Sequence, residues 1–229
     1  MKLITRLFLA SALLAPVALL GAAFEGKITM KMTPGRGEPQ EMSYNIKGDK
    51  MRIEIATKKG GMGGMIMDGE KKEMIMMMDD QKMYMTMAIP DVAAEAAGKK
   101  GEDVKFEKTN ETEKILGYTA TKYIATQKDG TKTEMWLAEG LGKFMSASPG
   151  NPMTGRRAAP PEWERALAGK ELFPLRVVGK DKGEKQTFQM DVIAIDKKSL
   201  PDSMFTPPAS YQKFDMGGMM KGMIPGFGK

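Results

Sequence analysis

Apolar and polar side chains alternate one by one in several short stretches of the N-terminal half. Residues 28–32 (ITMKM) show this most clearly, and the same rhythm recurs in the stretches that begin at Met42, Met51 and Met83. A period of two places every second side chain on one face of a β-strand. An amphipathic helix needs apolar residues three and four positions apart, and these stretches lack that spacing. The pattern therefore predicts short amphipathic strands.

Turn-forming residues separate the alternating stretches. They lie at Gly48-Asp49, Asp68-Gly69, Asp79-Asp80-Gln81, Asp129-Gly130 and Lys182-Gly183. Asp-Gly pairs readily adopt the positive φ angles of tight hairpin turns, and a tight hairpin joins antiparallel strands. Later strands are predicted at residues 104–110, 120–127, 132–138, 173–179 and 185–195. The expected fold class is therefore mainly β with minor α, built on an up-and-down antiparallel sheet.

Two short helices and a long loop interrupt the strand pattern. Residues 90–98 open with proline, are rich in alanine and end at glycine, which predicts a short helix. Residues 161–169 predict a second helix, with Trp163 and Leu167 on one apolar face. Residues 141–161, rich in Gly, Pro, Ser and Met, predict a long loop before it.

Trp136 lies in a predicted strand between two further apolar residues, Met135 and Leu137. Such a run predicts that both faces of the strand are covered. The helix that carries Trp163 is a candidate for one of the two covers, and ordinary tertiary packing is the alternative explanation.

The first 23 residues have the layout of a secretory signal peptide. Lys2 and Arg6 precede an apolar run from Leu7 to Leu20, and small residues follow up to Ala23. That run is about 14 residues, shorter than the roughly 20 that a membrane-spanning helix needs. We expect cleavage after Ala23 and export to the periplasm, with no transmembrane segment in the mature chain. No cysteine follows the run that could carry a bacterial lipid anchor.

The remaining chain suits one domain. Residues 24–215 carry the strand pattern and are expected to form a single β-rich unit, whereas residues 216–229 form a Gly/Met-rich tail without a core pattern. The net charge is +6, and the charges of both signs are mixed along the chain. A mild, dispersed positive charge does not indicate a nucleic-acid partner.

Two residue types are absent from the sequence, which contains no cysteine and no histidine. The sequence therefore cannot form a Ser-His-Asp triad, a Cys-His pair or an ordinary zinc site. The carboxylates Asp79 and Asp80 fall in a predicted turn, where both would be solvated, so they do not form an acid–base pair. We expect no enzyme activity and no cofactor.

Methionine, in contrast, is abundant, with 24 residues, most of them between Met30 and Met87. Three consecutive predicted strands carry methionines at alternate positions. These candidate ligand-binding residues are Met65, Met67, Met74, Met76, Met78, Met83, Met85 and Met87. If Asp79–Gln81 is a turn, the last two strands are hairpin partners, and their methionine rows lie side by side.

Three interpretations of the methionine rows stay open. They can be ordinary core, since Met is a flexible gap-filler. They can line a groove for acyl chains or apolar peptide segments, because thioether side chains repack around varied ligands. They can also bind copper(I), for which three or four converging thioether sulfurs are needed, either here or in the tail at Met216, Met219, Met220 and Met223.

Several segments together resemble a known family. They are the strand pair at residues 27–32 and 42–55, then ILGYTATKY at 115–123, TEMWLA at 133–138 and DSMFTPPASY at 202–211. The chain resembles the domain of unknown function 4412 family of exported bacterial proteins, which is similar in turn to the LolA/LolB-like lipoprotein carriers. The resemblance implies an incomplete, strongly curved antiparallel barrel with short helices over its open side. It rests on strand and turn motifs, so no functional residue is carried over.

The expected function follows from the methionine rows and this resemblance. We expect a periplasmic, non-catalytic protein that holds an apolar ligand, such as a lipid, an acyl chain or a lipidated protein, in a Met-lined concave sheet. The alternatives are a Met-based copper(I)-binding protein and an interaction module with a filled core. The sequence leaves the oligomeric state open.

Overall fold

The computed structural model describes residues 23–55, 62–89, 104–145 and 161–214. Its strands are β1 (Glu25–Pro34), β2 (Gln40–Lys47), β3 (Lys50–Ile55), β4 (Met62–Asp68), β5 (Glu73–Met78), β6 (Met83–Ala88), β7 (Val104–Ile115), β8 (Tyr118–Gln127), β9 (Lys132–Ala138), β10 (Phe173–Lys180), β11 (Gln186–Lys197) and β12 (Gln212–Lys213). The α-helix α1 spans Glu162–Leu167, and 3₁₀ turns span Asp79–Gln81 and Asp202–Phe205. The predicted signal peptide (residues 1–23, of which only Ala23 is described), the predicted helix at 90–98 and the predicted tail at 216–229 lie outside the described residues. So do residues 146–160 of the predicted loop.

All twelve strands belong to one open sheet, in the order β12-β6-β5-β4-β3-β2-β1-β11-β10-β9-β8-β7. The sheet consists of two antiparallel meanders that meet where β1 pairs with β11. Among the strands of the described residues, the short β12 alone runs parallel to its neighbour, β6. The prediction of a mainly β protein with one antiparallel sheet is confirmed. The junction between the meanders had no signal in the sequence, because β1 and β11 are far apart along the chain.

The sheet is strongly curved. The rings of Tyr44 on β2 and Phe173 on β10 meet edge to face, with their centroids 6.5 Å apart. Two strands, β1 and β11, lie between β2 and β10. On a flat sheet, three strand spacings would separate the two positions by about 14 Å. The face that carries both rings is therefore concave, and it holds the main core of the protein.

Helix α1 packs against this concave face. Its Trp163 ring stacks on Phe144 at a centroid distance of 5.7 Å, and Leu167 is fully buried in the same core. Residues 161–169 were predicted to be helical, and the helix itself spans Glu162–Leu167. Trp136 is not covered by this helix. It lies on the other face of β9, between the Lys122 ammonium and the Arg176 guanidinium, at 5.4 and 5.3 Å from the ring centroid.

Strand β7 is longer than the sequence pattern indicated. It continues to Ile115, and a tight turn at Leu116 and Gly117, both with positive φ, leads into β8. Most of the side chains between Glu107 and Lys114 are exposed. This part of β7, at one edge of the sheet, therefore has no buried face that would impose an apolar alternation.

The segment after β11 crosses the convex face of the sheet. Leu200 and Phe205 pack on Ile66 and Met77 to form a second, smaller buried cluster. Lys47 holds this segment with an ion pair to Asp202, at 2.8 Å. The chain then reaches the β6 edge, where β12 pairs with Met83 and Tyr84. None of the helices in the described part of the chain has the length and apolar character needed to cross a bilayer.

Candidate functional site

The strand register brings the predicted methionines together on the concave face. Across β4, β5 and β6, Met65 pairs with Met76, which pairs with Met85. In the same way, Met67 pairs with Met74, which pairs with Met87, and Met78 pairs with Met83. Direct cross-strand partners have Cβ atoms about 4.5–5.5 Å apart, close enough for thioether side chains to touch. The eight candidates thus form three adjacent rows that run across the strands.

The rows extend beyond the three strands that the sequence singled out. Met51 on β3 pairs with Met67 and continues that row. Met42 on β2 pairs with Met30 on β1. It lies at the same level as Met78 on β5, with β3 and β4 between the two residues. Their alternation in the sequence marked both residues as strand positions. Their membership of the methionine surface follows only from the pairing of β2 and β3.

Met77 belongs to the opposite face. It alternates with Met76 and Met78, and it packs with Ile66, Leu200 and Phe205 in the convex-face cluster. The run of three consecutive methionines at the end of β5 therefore serves two surfaces. Both faces of β5 are covered, which explains why this strand is apolar at every position but its first.

Burial divides the methionine rows into two groups. Five candidates are between 2% and 8% exposed and form part of the main core: Met65, Met67, Met74, Met76 and Met85. Together with Met51 they are called the inner rows below. Met78, Met83 and Met87 are only half-buried, as is Met42. Met42, Met78 and Met83 are called the outer row below. Met78 and Met83 are direct cross-strand partners, and Met42 lies at the same level of the sheet with β3 and β4 between it and Met78.

The other half of the concave face is filled by aromatic side chains. The Phe144 ring lies 6.2 Å from Tyr44, 5.8 Å from Phe173 and 5.7 Å from Trp163, between centroids. All four rings are buried. Burial, together with the negative charge of Glu164, raises the pKa of the Tyr44 hydroxyl. The four rings are therefore packed core, and partly buried side chains such as Phe106 and Tyr123 pack against that core in the second meander, as Met78 and Met87 do in the first.

The convex face of the second meander carries charge in place of methionine. Lys122 approaches Glu111 at 3.2 Å and Glu134 at 3.5 Å, and Lys180 also pairs with Glu134. Burial raises the pKa of the Glu134 carboxyl, but the hydrogen bond from Lys180 and the charge of Lys122 outweigh it, so that the net pKa is lowered. These groups are paired with one another and stabilise the sheet.

The described residues do not form a metal site of the usual kind. Within them, no group of three or more Asp, Glu, His or Cys side chains is placed to hold a metal ion. The donors that the concave face offers are thioether sulfurs, which bind soft ions. Its other chemical property is an apolar, polarizable and adaptable surface.

Comparison with known proteins gives a family match over most of the chain. The family model described as a domain of unknown function (DUF4412) matches residues 24–211. No curated protein matches the chain. Among solved structures, an uncharacterized conserved protein from Thermus thermophilus is similar, with 10% identity and a TM-score of 0.48. That similarity covers 83% of this chain and 91% of the other.

Two further structures illustrate the range of similarity. PNGF-II is 16% identical with a TM-score of 0.49, and the match covers 87% of this chain but only 32% of PNGF-II. This chain therefore spans about a third of that protein. A LolA superfamily protein from Nitrosomonas europaea is 16% identical with a TM-score of 0.33, covering 82% of this chain and 91% of the other. TM-scores below 0.5 say nothing about a shared ligand or activity.

Proposed function

This chain belongs to the DUF4412 family, and we propose that it is an exported, non-catalytic periplasmic protein that binds an apolar ligand on the methionine half of its concave sheet. The ligand class is an acyl chain, carried by a lipid or by a lipidated protein. The lack of catalysis is part of the proposal, and it is supported by the absence of His and Cys from the sequence.

The observation that carries the proposal is the change in burial between the inner and outer methionine rows. The inner rows are packed into the core, whereas Met42, Met78 and Met83 are half-buried at one level of the curved sheet. A half-buried apolar row beside a core is the arrangement expected where an apolar chain can add to that core. Unbranched thioether side chains adjust to ligands of varied shape at little cost.

Two features at the N-terminus support export. The family match begins at residue 24, directly after the cleavage position predicted from the sequence. Phe24 is buried in the main core, and β1 begins at Glu25. Cleavage after Ala23 would therefore leave the whole sheet intact and give the mature chain an N-terminus anchored in the core.

The test uses the mature chain, residues 24–229, purified from a periplasmic fraction. Native mass spectrometry is expected to show a bound mass of a phospholipid or fatty acid. The delipidated protein is then titrated with the fluorescent fatty acid 11-(dansylamino)undecanoic acid. Met78→Gln and Met83→Gln are each expected to weaken binding about fivefold, because each removes apolar contact area from the ligand surface. Met204→Gln, on the convex face, is the matched control and is expected to leave binding unchanged.

A bare protein that also fails to bind the fluorescent fatty acid would contradict the proposal. It would favour the alternative in which the concave face is filled core and the protein acts through its outer surface. Equal losses of affinity in Met78→Gln and Met204→Gln would show that the ligand does not bind on the concave face.

Copper(I) binding is the second candidate, and one observation favours it. Met65, Met76 and Met85 are successive cross-strand partners, which brings three thioether groups next to one another. Titration with copper(I) in the presence of the competing chelator bicinchoninate tests this site. Retention of about one copper(I) ion per chain, lost on Met76→Leu, would support it. Removal of all copper by the chelator would exclude it.

A further inference from the structure

The two groups of methionines differ in their access to small oxidants in solution. Met76 and Met85 are 2% and 8% exposed, whereas their neighbours along the same strands, Met78 and Met83, are half-buried. Susceptibility of a thioether to oxidation follows its exposure. Met78 and Met83 thus each have a buried methionine two residues away on the same strand as an internal reference.

We infer that the outer row, Met42, Met78 and Met83, is a site of reversible methionine oxidation by hydrogen peroxide, and that its oxidation releases the apolar ligand. The modification site stands on the burial and register of the methionines. The release of ligand rests in addition on the function proposed above.

The reaction is a two-electron oxygen transfer. The thioether sulfur attacks one oxygen of hydrogen peroxide, the O–O bond breaks and an S–O bond forms. The second oxygen leaves as water after proton transfer, so that sulfur is oxidised and peroxide is reduced. Methionine sulfoxide reductases reverse the change, with two thiols that become a disulfide and with release of water.

The effect on the surface follows from the polarity of the sulfoxide. Met78 and Met83 are direct cross-strand partners, so that oxidation of both places two sulfoxide dipoles side by side in an apolar row. A sulfoxide oxygen that a ligand's acyl chain covers loses its hydration without gaining a hydrogen bond, which is unfavourable. The inner rows stay reduced because they are packed in the core, and the sheet is therefore expected to remain folded.

Peptide mapping gives a direct test. Trypsin cleavage after Lys72, Lys82 and Lys99 yields one peptide with Met76 and Met78 and another with Met83 and Met85. The folded mature protein is treated with hydrogen peroxide, and fragment-ion spectra give the oxidised fraction at each position over time. Met78 is expected to oxidise at least about tenfold faster than Met76, and Met83 at least about tenfold faster than Met85. Circular dichroism is expected to remain unchanged.

The effect on the ligand is read from the fluorescent fatty acid. After oxidation of the outer row its affinity is expected to fall about tenfold, and methionine sulfoxide reductases A and B with dithiothreitol are expected to restore it. The triple variant Met42→Leu, Met78→Leu and Met83→Leu keeps the row apolar without an oxidisable sulfur. Whatever its affinity for the fatty acid before treatment, that affinity is expected to change by less than about twofold on exposure to peroxide, because no sulfur remains in the row to be oxidised. Met204→Leu, the convex-face control, is expected to stay peroxide-sensitive.

Each result bears on a different part of the inference. Equal oxidation rates for Met76 and Met78, or oxidation only after loss of the circular dichroism signal, would overturn the modification site. Peroxide-sensitive binding by the triple Leu variant would overturn the link to ligand release. If Met78 and Met83 oxidise first but the reduced protein does not bind the fatty acid, the proposed function fails and the modification site stands.

Discussion

The Tyr44 ring on β2 meets the Phe173 ring on β10 across two intervening strands, with centroids 6.5 Å apart at an interplanar angle of 90°. Phe144 contacts both rings as well as Trp163 of helix α1. The aromatic cluster thus joins the two meanders over the concave face. This contact between β2 and β10 spans the curved part of the sheet where the two meanders meet.

Removal of the central ring is expected to destabilise the protein strongly. Phe144→Ala deletes the side chain that contacts all three other rings, and it should lower the free energy of unfolding by about 3–5 kcal/mol. Urea denaturation, monitored by tryptophan fluorescence, measures the change in the free energy of unfolding. Ile193→Ala, on an exposed position of β11, is the control and should change stability by less than about 0.5 kcal/mol. A loss below about 1 kcal/mol in Phe144→Ala would contradict the role of the cluster.

Gly26 marks a close approach between β1 and β11. A Cβ atom at this position would lie 2.2 Å from the backbone carbonyl oxygen of Asp196. Gly26→Ala must therefore push the two meanders apart at their junction, and we expect a fall in the midpoint of thermal unfolding of at least about 5 °C. Gly183→Ala places its Cβ no closer than 3.4 Å to another atom and serves as the control, with little expected change. Equal midpoints for the two variants would show that the junction is not tightly packed.

The convex-face ion pairs predict a pH dependence of stability. The pKa of Glu134 is lowered in the folded protein from its ordinary value of 4.5. A carboxyl with a lowered folded pKa stabilises the protein above its unfolded pKa, and that contribution is lost as the pH falls through the folded pKa. Wild type should therefore exceed Glu134→Gln in stability at pH 7, and the difference should shrink as the pH is lowered below about 4.5.

Unfolding free energies from urea titrations between pH 7 and pH 3 measure this difference. Glu107→Gln removes an exposed partner of Lys105 and is the matched control, expected to show a smaller effect at every pH. A difference between wild type and Glu134→Gln that stays constant with pH would contradict the prediction.

Lys47 fastens the C-terminal segment to the convex face. Its ammonium donates to the Leu200 carbonyl oxygen at 2.8 Å and pairs with Asp202 at 2.8 Å. Lys47→Ala is expected to destabilise the protein and to speed proteolysis within residues 198–214, because it removes the hydrogen bond and the ion pair that hold this segment. High salt, which screens the ion pair, is expected to reproduce part of this effect in the wild type. Limited trypsin digestion with mass spectrometry measures the cleavage rate. Lys31→Ala, an exposed residue of β1, is the control, and equal cleavage rates in the two variants would refute the fastening role.

Local periodicity accounts for what the sequence could predict. Alternation of apolar and polar residues predicted β1 to β6. The turns predicted at residues 48–49, 129–130 and 182–183 are present, and so is the expected hairpin between Met78 and Met83. The placement of the eight candidate methionines on one face also follows from alternation, because side chains two residues apart on a strand point the same way. These features depend on neighbours within a few residues, which the sequence records directly.

The tertiary structure decided the rest. The pairing of β1 with β11 and of β12 with β6 joins segments that are distant along the chain, and no short pattern specifies such partners. The depth of each methionine likewise depends on what lies across the sheet: Met76 and Met78 share a face and a residue type, yet the first is core and the second is half-buried. The apolar run around Trp136 predicted that both faces of β9 are covered. Met135 and Leu137 are buried on one face, and the tertiary structure decided that cations on adjacent strands, and not helix α1, cover Trp136 on the other. Alternation fixes which face a side chain occupies, but burial is set by the curvature of the sheet and by the segments that pack on it, and these are properties of the assembled molecule.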